Sequence, residues 1–252
     1  MTRFLIHPEG IAGERVTFDA EETRHLTRVL RLGPGDIVEA FDGLGDLLTV
    51  RLERVGTRGA EGSLLARAAL QSESPLHLTL VQSIPKGDKM EGIIRMATEL
   101  GAARVVPLVT ARTVVRVEAG RPGPRLSRWQ RVAKEAAKQS GRAVITEVAP
   151  PQRLDAWIAA RETAHETEGL LVCLWEDAVE PLGPQLPPRP VSRATVVVGP
   201  EGGLERAEAD ALRVAGAVVG GLGPRILRTE TAGPVGLALL QARYGDLGGG
   251  GT

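Results

Sequence analysis

Val196-Val197-Val198-Gly199-Pro200-Glu201-Gly202-Gly203, and then Leu222-Gly223-Pro224-Arg225-Ile226-Leu227-Arg228-Thr229-Glu230-Thr231-Ala232, decide how this chain is read. In each block an apolar run enters a glycine-rich turn, and a helical pattern follows. Glycine lets the backbone approach a ligand that a Cβ would hold off. Taken singly, either turn is an ordinary strand-to-helix connection with capping glycines. Here two of them fall within about thirty residues, and the second ends on an arginine between Leu227 and Thr229. That pairing favours a small-molecule pocket with a cation aimed into it.

Outward from these turns the chain alternates strand and helix patterns. Leu76–Val81, Arg104–Val109, Gly169–Leu174, Thr195–Val198 and Val218–Leu222 read as strands. Between them, Asp88–Leu100 places Met90, Ile93, Ile94 and Ala97 on one helical face, with Gly101 as C-cap. A loop over Gly120–Pro124 leads to Ser127 as N-cap of a helix whose stripe is Trp129, Val132, Ala133, Ala136 and Ala137. Gln152–Ala164, Leu204–Ala215 and Val235–Tyr244 are further helices, and Pro181–Pro190 is a loop. Because Pro234 is tolerated only in a first helical turn, the last helix is expected to begin near it, leaving Thr229–Gly233 as loop. This rhythm predicts an α/β domain with a mainly parallel sheet covered on both faces.

The first seventy or so residues read differently. Phe4–Ile6 is a strand, Asp19 to Glu22 is a capping box opening a short helix through His25, Leu26, Val29 and Leu30, and Gly33–Asp36 ends it. Ile37–Phe41 and Leu48–Val55 flank an Asp42-Gly43 turn as a hairpin, and Ser63–Leu70 is another strand. The pattern is that of a small barrel or sandwich. A boundary is placed at the Gln71–Pro75 linker, giving domains 1–71 and 72–252. The tail from Gly248 to Thr252 is expected to be disordered.

Composition narrows the function. With 42% hydrophobic and 25% charged residues the chain is an ordinary globular protein. No apolar run is long enough to span a bilayer, Met1–Pro8 lacks the features of a signal peptide, and the single Cys173 excludes an internal disulfide framework. A cytoplasmic protein is expected, with Cys173 a buried structural thiol. The net charge of zero hides segregation. Arg112–Arg142 carries nine basic and two acidic residues, and Glu147–Arg189 three basic and eight acidic. A basic stretch inside a neutral chain suits one anionic partner surface, although a solvated helix face has the same composition. There is no phosphate-binding P-loop, no nucleophile elbow, and no metal spacing among His7, His25, His77 and His165, so no metal is expected. His77 is read as a core residue of its strand.

Gly199–Gly203 and Leu222–Thr231 together closely resemble the signature of the RsmE family, bacterial 16S rRNA (uracil-N3) methyltransferases of the SPOUT superfamily. His25–Arg31 with Gly35-Asp36, Lys86–Glu91 with Glu99–Gly101, and Trp129-Gln130 with Glu135-Ala136 and Gln139–Arg142 resemble its other motifs, in the family's order. The resemblance implies a PUA-like RNA-binding β-barrel at the N-terminus and a C-terminal SPOUT domain with a deep trefoil knot. It also implies S-adenosylmethionine as methyl donor, a homodimer, and a uridine N3 in the decoding region of small-subunit rRNA as acceptor. Ala232-Gly233-Pro234 departs from the family pattern, which more often continues with helix formers.

On this footing the residues take roles. Uridine N3 is a poor nucleophile until its proton leaves, and a guanidinium stabilises the resulting charge without changing its own protonation. Arg228 is assigned that role, with a structural salt bridge to Glu230 or Glu201 as the competing one. Glu230 assists deprotonation or caps the following helix. The backbone of Gly199, Gly202, Leu222, Gly223, Ile226 and Leu227 is assigned to adenine and ribose, with Leu174, Leu222 and Leu227 walling the ring. Thr229 and Ala232 close the pocket, and Glu201 accepts a ribose hydroxyl or braces its loop. For RNA, Arg24, Arg28 and Arg31 line the N-terminal helix, Arg112 and Arg116 precede the helix at Ser127, and Arg128, Arg131, Lys134 and Lys138 lie on it. Aromatic residues are only 3% of the chain, so phosphate contacts and RNA shape are expected to dominate binding. Three alternatives stay open: a SPOUT methyltransferase acting on another RNA, a non-catalytic rRNA-binding assembly factor, and an enzyme using the pocket for another nucleotide-like ligand.

Overall fold

The computed structural model describes residues 3–56, 59–70, 72–115, 123–163, 169–188 and 190–248. Arg116, most of the loop before Pro124, and the tail beyond Gly248 lie outside them. The chain forms two compact units, Met1–Glu73 with Glu135–Ile145, and Ser74–Lys134 with Thr146–Thr252. The return of 135–145 to the first unit has no counterpart in the sequence reading.

The first unit is a six-stranded sheet. Its strands are β1 (Phe4–Leu5), β2 (Ile11–Ala12), β3 (Arg15–Phe18), β4 (Ile37–Phe41), β5 (Asp46–Gly56) and β6 (Gly59–Ala69), in the order β1-β4-β5-β6-β3-β2. The β4–β5 hairpin forms where expected, because the Asp42 carboxylate accepts the N–H groups of Leu44, Gly45 and Asp46 at 2.8–3.1 Å. One core gathers Phe4, Val16, Phe18, Leu26, Val38, Leu48, Val50 and Leu52. Asp19 caps α1 (Ala20–Arg24) by accepting from Glu22 N–H at 2.7 Å. Beyond it lies an unexpected π-helical turn, His25–Val29, followed by Arg31 with φ +55°, a conformation that costs a non-glycine residue about 1 kcal/mol.

The second unit is built on a seven-stranded, wholly parallel sheet. Its strands are β7 (His77–Ser83), β8 (Ala102–Val109), β9 (Glu147–Val148), β10 (Gln152–Arg153), β11 (Leu170–Leu174), β12 (Arg193–Val198) and β13 (Val218–Gly220). The order is β10-β8-β7-β12-β11-β13, with β9 also on β8. The helices are α2 (Lys89–Glu99), α3 (Pro124–Ser140, whose residues from Glu135 on belong to the first unit), α4 (Leu154–Thr163), α5 (Leu182–Gln185), α6 (Arg206–Val214) and α7 (Thr229–Tyr244). Met90, Ile93, Ile94 and Ala97 of α2 are fully buried, each large side chain contributing about 1.5–3 kcal/mol. β11 and β12 are largely apolar and buried on both faces, as a parallel sheet requires, and β7 is buried from Leu80 onward although it carries Gln82 and Ser83.

Four local expectations fail. α3 starts at Pro124 rather than after Ser127, since proline's fixed φ suits a first helical position. A short helix, α5, interrupts the loop from Pro181. His77 is exposed, because it is the first residue of β7, paired with the equally exposed Arg193 at the start of β12. Most consequentially, α7 begins at Thr229, so Pro234 sits inside it. Pro234 has no N–H for the carbonyl of Glu230 one turn earlier, but Gly233 removes one further conflict: a proline clashes with the Cβ of the residue before it, and Gly233 has none. The same absence lets α7 press onto the sheet: a Cβ at Gly233 would come within 2.8 Å of Gln82 Oε1, and one at Gly236 within 2.8 Å of Leu174 Cδ1.

Candidate functional site

The sheet order brings β12, β11 and β13 side by side, and their C-terminal ends carry the two glycine turns to one cavity of about 430 Å³. Such a crevice at the strand ends is where open parallel sheets bind ligands. Of the sequence-assigned residues, Leu174, Gly199, Glu201, Leu222, Gly223, Ile226, Leu227, Arg228, Thr229, Glu230 and Ala232 line it. Gly202 does not; its carbonyl faces Arg112, whose guanidinium donates to it at 2.7 Å.

The Gly199–Gly203 turn is held from several sides. Gly203 has φ +72°, and a Cβ there would collide with the Glu176 carboxylate. The buried Thr229 hydroxyl donates to Gly199 O at 2.6 Å and accepts from Gln82 Nε2 at 2.9 Å, tying the turn to the start of α7 and the end of β7. Glu201 accepts from Lys86 N–H at 3.0 Å and from Lys89 Nζ at 3.0 Å. Partial burial pushes its carboxyl up, but backbone N–H groups and the Lys89 ammonium outweigh that and hold it below the ordinary 4.5. Glu201 thus ties its loop to the Lys86–Lys89 segment. Lys89, raised above 10.5 mainly by its hydrogen bond to Glu201, also lies 3.3 Å from Glu230.

The second turn is open. The N–H groups of Leu222, Gly223, Ile226 and Leu227 find no protein acceptor among the described residues. Gly223 has φ +120° with nothing within 4 Å of a would-be Cβ, and Ile226 is 82% exposed. Arg228 is exposed and is the N-cap residue of α7; its carbonyl accepts from Thr231 and Ala232 N–H, and its guanidinium makes no ion pair or hydrogen bond among the described residues. The salt bridge to Glu230 or Glu201 considered for it is not formed, because Lys89 occupies both carboxylates.

Among the lining residues that the sequence reading gave no role are Lys89, Trp175, Glu176 and Ala178. Trp175 is buried, donates to Leu204 O at 3.2 Å, and has the Arg206 and Arg213 guanidiniums 5.8 and 5.3 Å from its ring centroid. Lys89 belongs to the Lys86–Glu91 motif, which was the available signal. Cys173 is fully buried and its thiol is pushed up to about 12 by burial, so it is inert at neutral pH.

The basic residues divide. Arg24, Arg28, Arg31 and Arg131 are exposed. Arg128 pairs with Glu91 at 2.7 Å, and Arg112 holds the Gly202 loop. Lys138 overturns its assignment as an RNA ligand: its side chain is 9% exposed and its ammonium lies 2.8 Å from Glu22, which is fully buried and needs that partner. Lys134 is half-buried with an interaction of its own, and Arg116 lies outside the described residues. Among the described residues no group of three His, Cys, Asp or Glu could hold a metal, and no helix is long and apolar enough to cross a membrane.

Residues 72–241 match the family model for an RNA methyltransferase domain, and residues 18–65 that for an RNA methyltransferase PUA domain. The chain is 35% identical to ribosomal RNA small subunit methyltransferase E of Synechocystis, covering 95% of this chain and 77% of that protein. The protein of the same name from Bacillus subtilis is 33% identical, with 84% of each chain covered. A ribosomal RNA small subunit methyltransferase E from Neisseria gonorrhoeae, solved bound to S-adenosyl methionine, superposes with a TM-score of 0.85 at 33% identity over 98% of this chain and 99% of that one. A Legionella pneumophila methyltransferase with bound SAM gives 0.87 at 30% identity, covering 98% and 99%. With a domain model matched over most of its length and relatives of one name at this identity, the chain belongs to the ribosomal RNA small subunit methyltransferase E family.

Proposed function

We propose that this chain transfers the methyl group of S-adenosylmethionine to N3 of a uridine in the decoding region of 16S rRNA. It works in the cytoplasm as a homodimer, with residues 1–71 as a PUA-like RNA-binding domain and 72–252 as a knotted SPOUT domain. One observation carries the reading: a single cavity is lined by a turn whose N–H groups are free and by an arginine free of any carboxylate. Free backbone donors suit the ring nitrogens of adenine, and Leu174, Leu222 and Leu227 supply apolar wall.

S-adenosylmethionine supplies an electrophilic methyl group on a sulfonium. The protein holds it in line with the acceptor, which accounts for much of the acceleration such a transfer needs. Arg228 stabilises the negative charge that spreads over N3 and its flanking carbonyls as the proton leaves. Glu230, the counter-ion of Lys89 and second residue of α7, takes that proton. The test is incubation with labelled methyl donor and purified small subunits, followed by mapping of the modified nucleotide. Label on one uridine N3 is expected. Label confined to transfer RNA would move the substrate elsewhere, and subunit binding without any label would make the protein an assembly factor.

A further inference from the structure

Arg31 is the one non-glycine residue with a left-handed φ among the described residues, and it closes a π-helical turn, His25–Val29. Leu30 N–H donates to His25 O at 3.1 Å and Leu32 N–H to Leu26 O at 2.9 Å. Each bond spans one residue more than its equivalent at an ordinary helix end. Both features are disfavoured, and such geometry persists where the surroundings impose it, often at functional sites.

The widened turn presents an apolar pair to solvent, Val29 at 66% and Leu30 at 38% exposure. Arg24, Arg28 and Arg31 surround the pair in sequence, and all three are exposed. The guanidiniums of Arg28 and Arg31 make no ion pair or hydrogen bond among the described residues, and that of Arg24 donates to the carbonyl of Ala20 in its own helix, 3.1 Å away. Of the nearby carboxylates, Asp19 caps α1, Glu22 holds Lys138 and Glu21 has an interaction of its own. Like charges at such spacing repel unless an anion lies between them. A second copy of the chain meeting this patch through a two-fold contact would set the same cations against each other. A nucleic-acid strand offers both complements together, phosphates for the guanidiniums and the apolar face of an unpaired base for Val29 and Leu30. A duplex hides those faces, so the strand is a loop or single-stranded segment.

We propose that Val29 and Leu30 pack against an unpaired nucleobase of small-subunit rRNA while Arg24, Arg28 and Arg31 hold the phosphates on either side. This rests on rRNA being the substrate. The experiment measures binding of the full chain to purified small subunits and to deproteinised 16S rRNA across a salt series. The double variant Val29→Ser with Leu30→Ser should bind about tenfold more weakly, with its salt slope unchanged. Arg28→Gln should reduce the slope by about 0.7. Arg31→Gly, relieved of left-handed strain, should melt higher than wild type and still bind more weakly, which separates recognition from folding if the serine variant is destabilised. Double-variant affinity equal to wild type overturns the proposal, as does a change confined to its salt slope, or a loss of self-association in sedimentation. Wild-type chain that neither binds nor methylates rRNA removes the functional reading itself; an active wild type with an unaffected double variant removes only this contact.

Discussion

The turns at Gly199–Gly203 and Leu222–Arg228 line one cavity, yet the first is fastened and the second is bare. Thr229, Arg112, Lys86 and Lys89 all reach the first. The second leaves the N–H groups of Leu222, Gly223, Ile226 and Leu227 and the Arg228 guanidinium without protein partners among the described residues. On the proposed reading the difference divides their work. The fastened turn would be a fixed wall that sets where the donor sits. The turn with unspent donors would complete its hydrogen bonding on the ligand, and so respond most to the ligand's arrival.

Substitutions can break this contrast. Arg228→Ala should have the largest effect, lowering turnover by about 10² or more while donor affinity stays the same, measured by single-turnover methyl transfer beside calorimetry. Unchanged turnover would remove Arg228 from the chemistry. Gly203→Ala combines a left-handed backbone with a collision at Glu176 and should cost about 2 kcal/mol or more in a urea melt. Gly223→Ala, in a turn with no braces to break, should cost less stability than Gly203→Ala and show its effect on donor binding. Equal losses in both assays would erase the distinction between the turns. Thr229→Val strips the link between Gln82 and Gly199 and should cost about 1–3 kcal/mol.

The smallest effect expected is the pH dependence of Lys89→Met. The Glu201 carboxyl sits below its ordinary 4.5, so its contribution is present above that pH and is lost as pH falls through the folded value. The Lys89 ammonium sits above its ordinary 10.5, so its contribution is present below that pH and is lost as pH rises through the folded value. The melting temperatures of wild type and variant should therefore differ most between about pH 5 and 10, and converge at both extremes. A gap that does not vary with pH would mean that Lys89 acts by packing.

Local signals carried much of this site. The two turns, the α2 stripe and the β4–β5 hairpin follow from glycine spacing, periodicity and an aspartate turn, each decided within a few residues. What was missed depends on partners far away in sequence. Lys138 sits on the polar side of a helical stripe, and nothing near it indicates that Glu22 needs its charge. Pro234 argued for a helix start by its own rule, and was overruled by Gly233 and the sheet beneath it. Lys89 lies 112 residues from Glu201, so its place in the cavity depends on the order of strands. The π turn at His25–Val29 is a departure from regular periodicity that periodicity cannot report.

Amide hydrogen exchange with and without S-adenosylhomocysteine tests the central claim most directly. Binding should slow exchange strongly at Leu222, Gly223, Ile226 and Leu227, whose N–H groups are unpartnered, and much less across Gly199–Gly203. If millimolar ligand left those four amides unchanged, or protected a different part of the chain, these turns would not be the cofactor site.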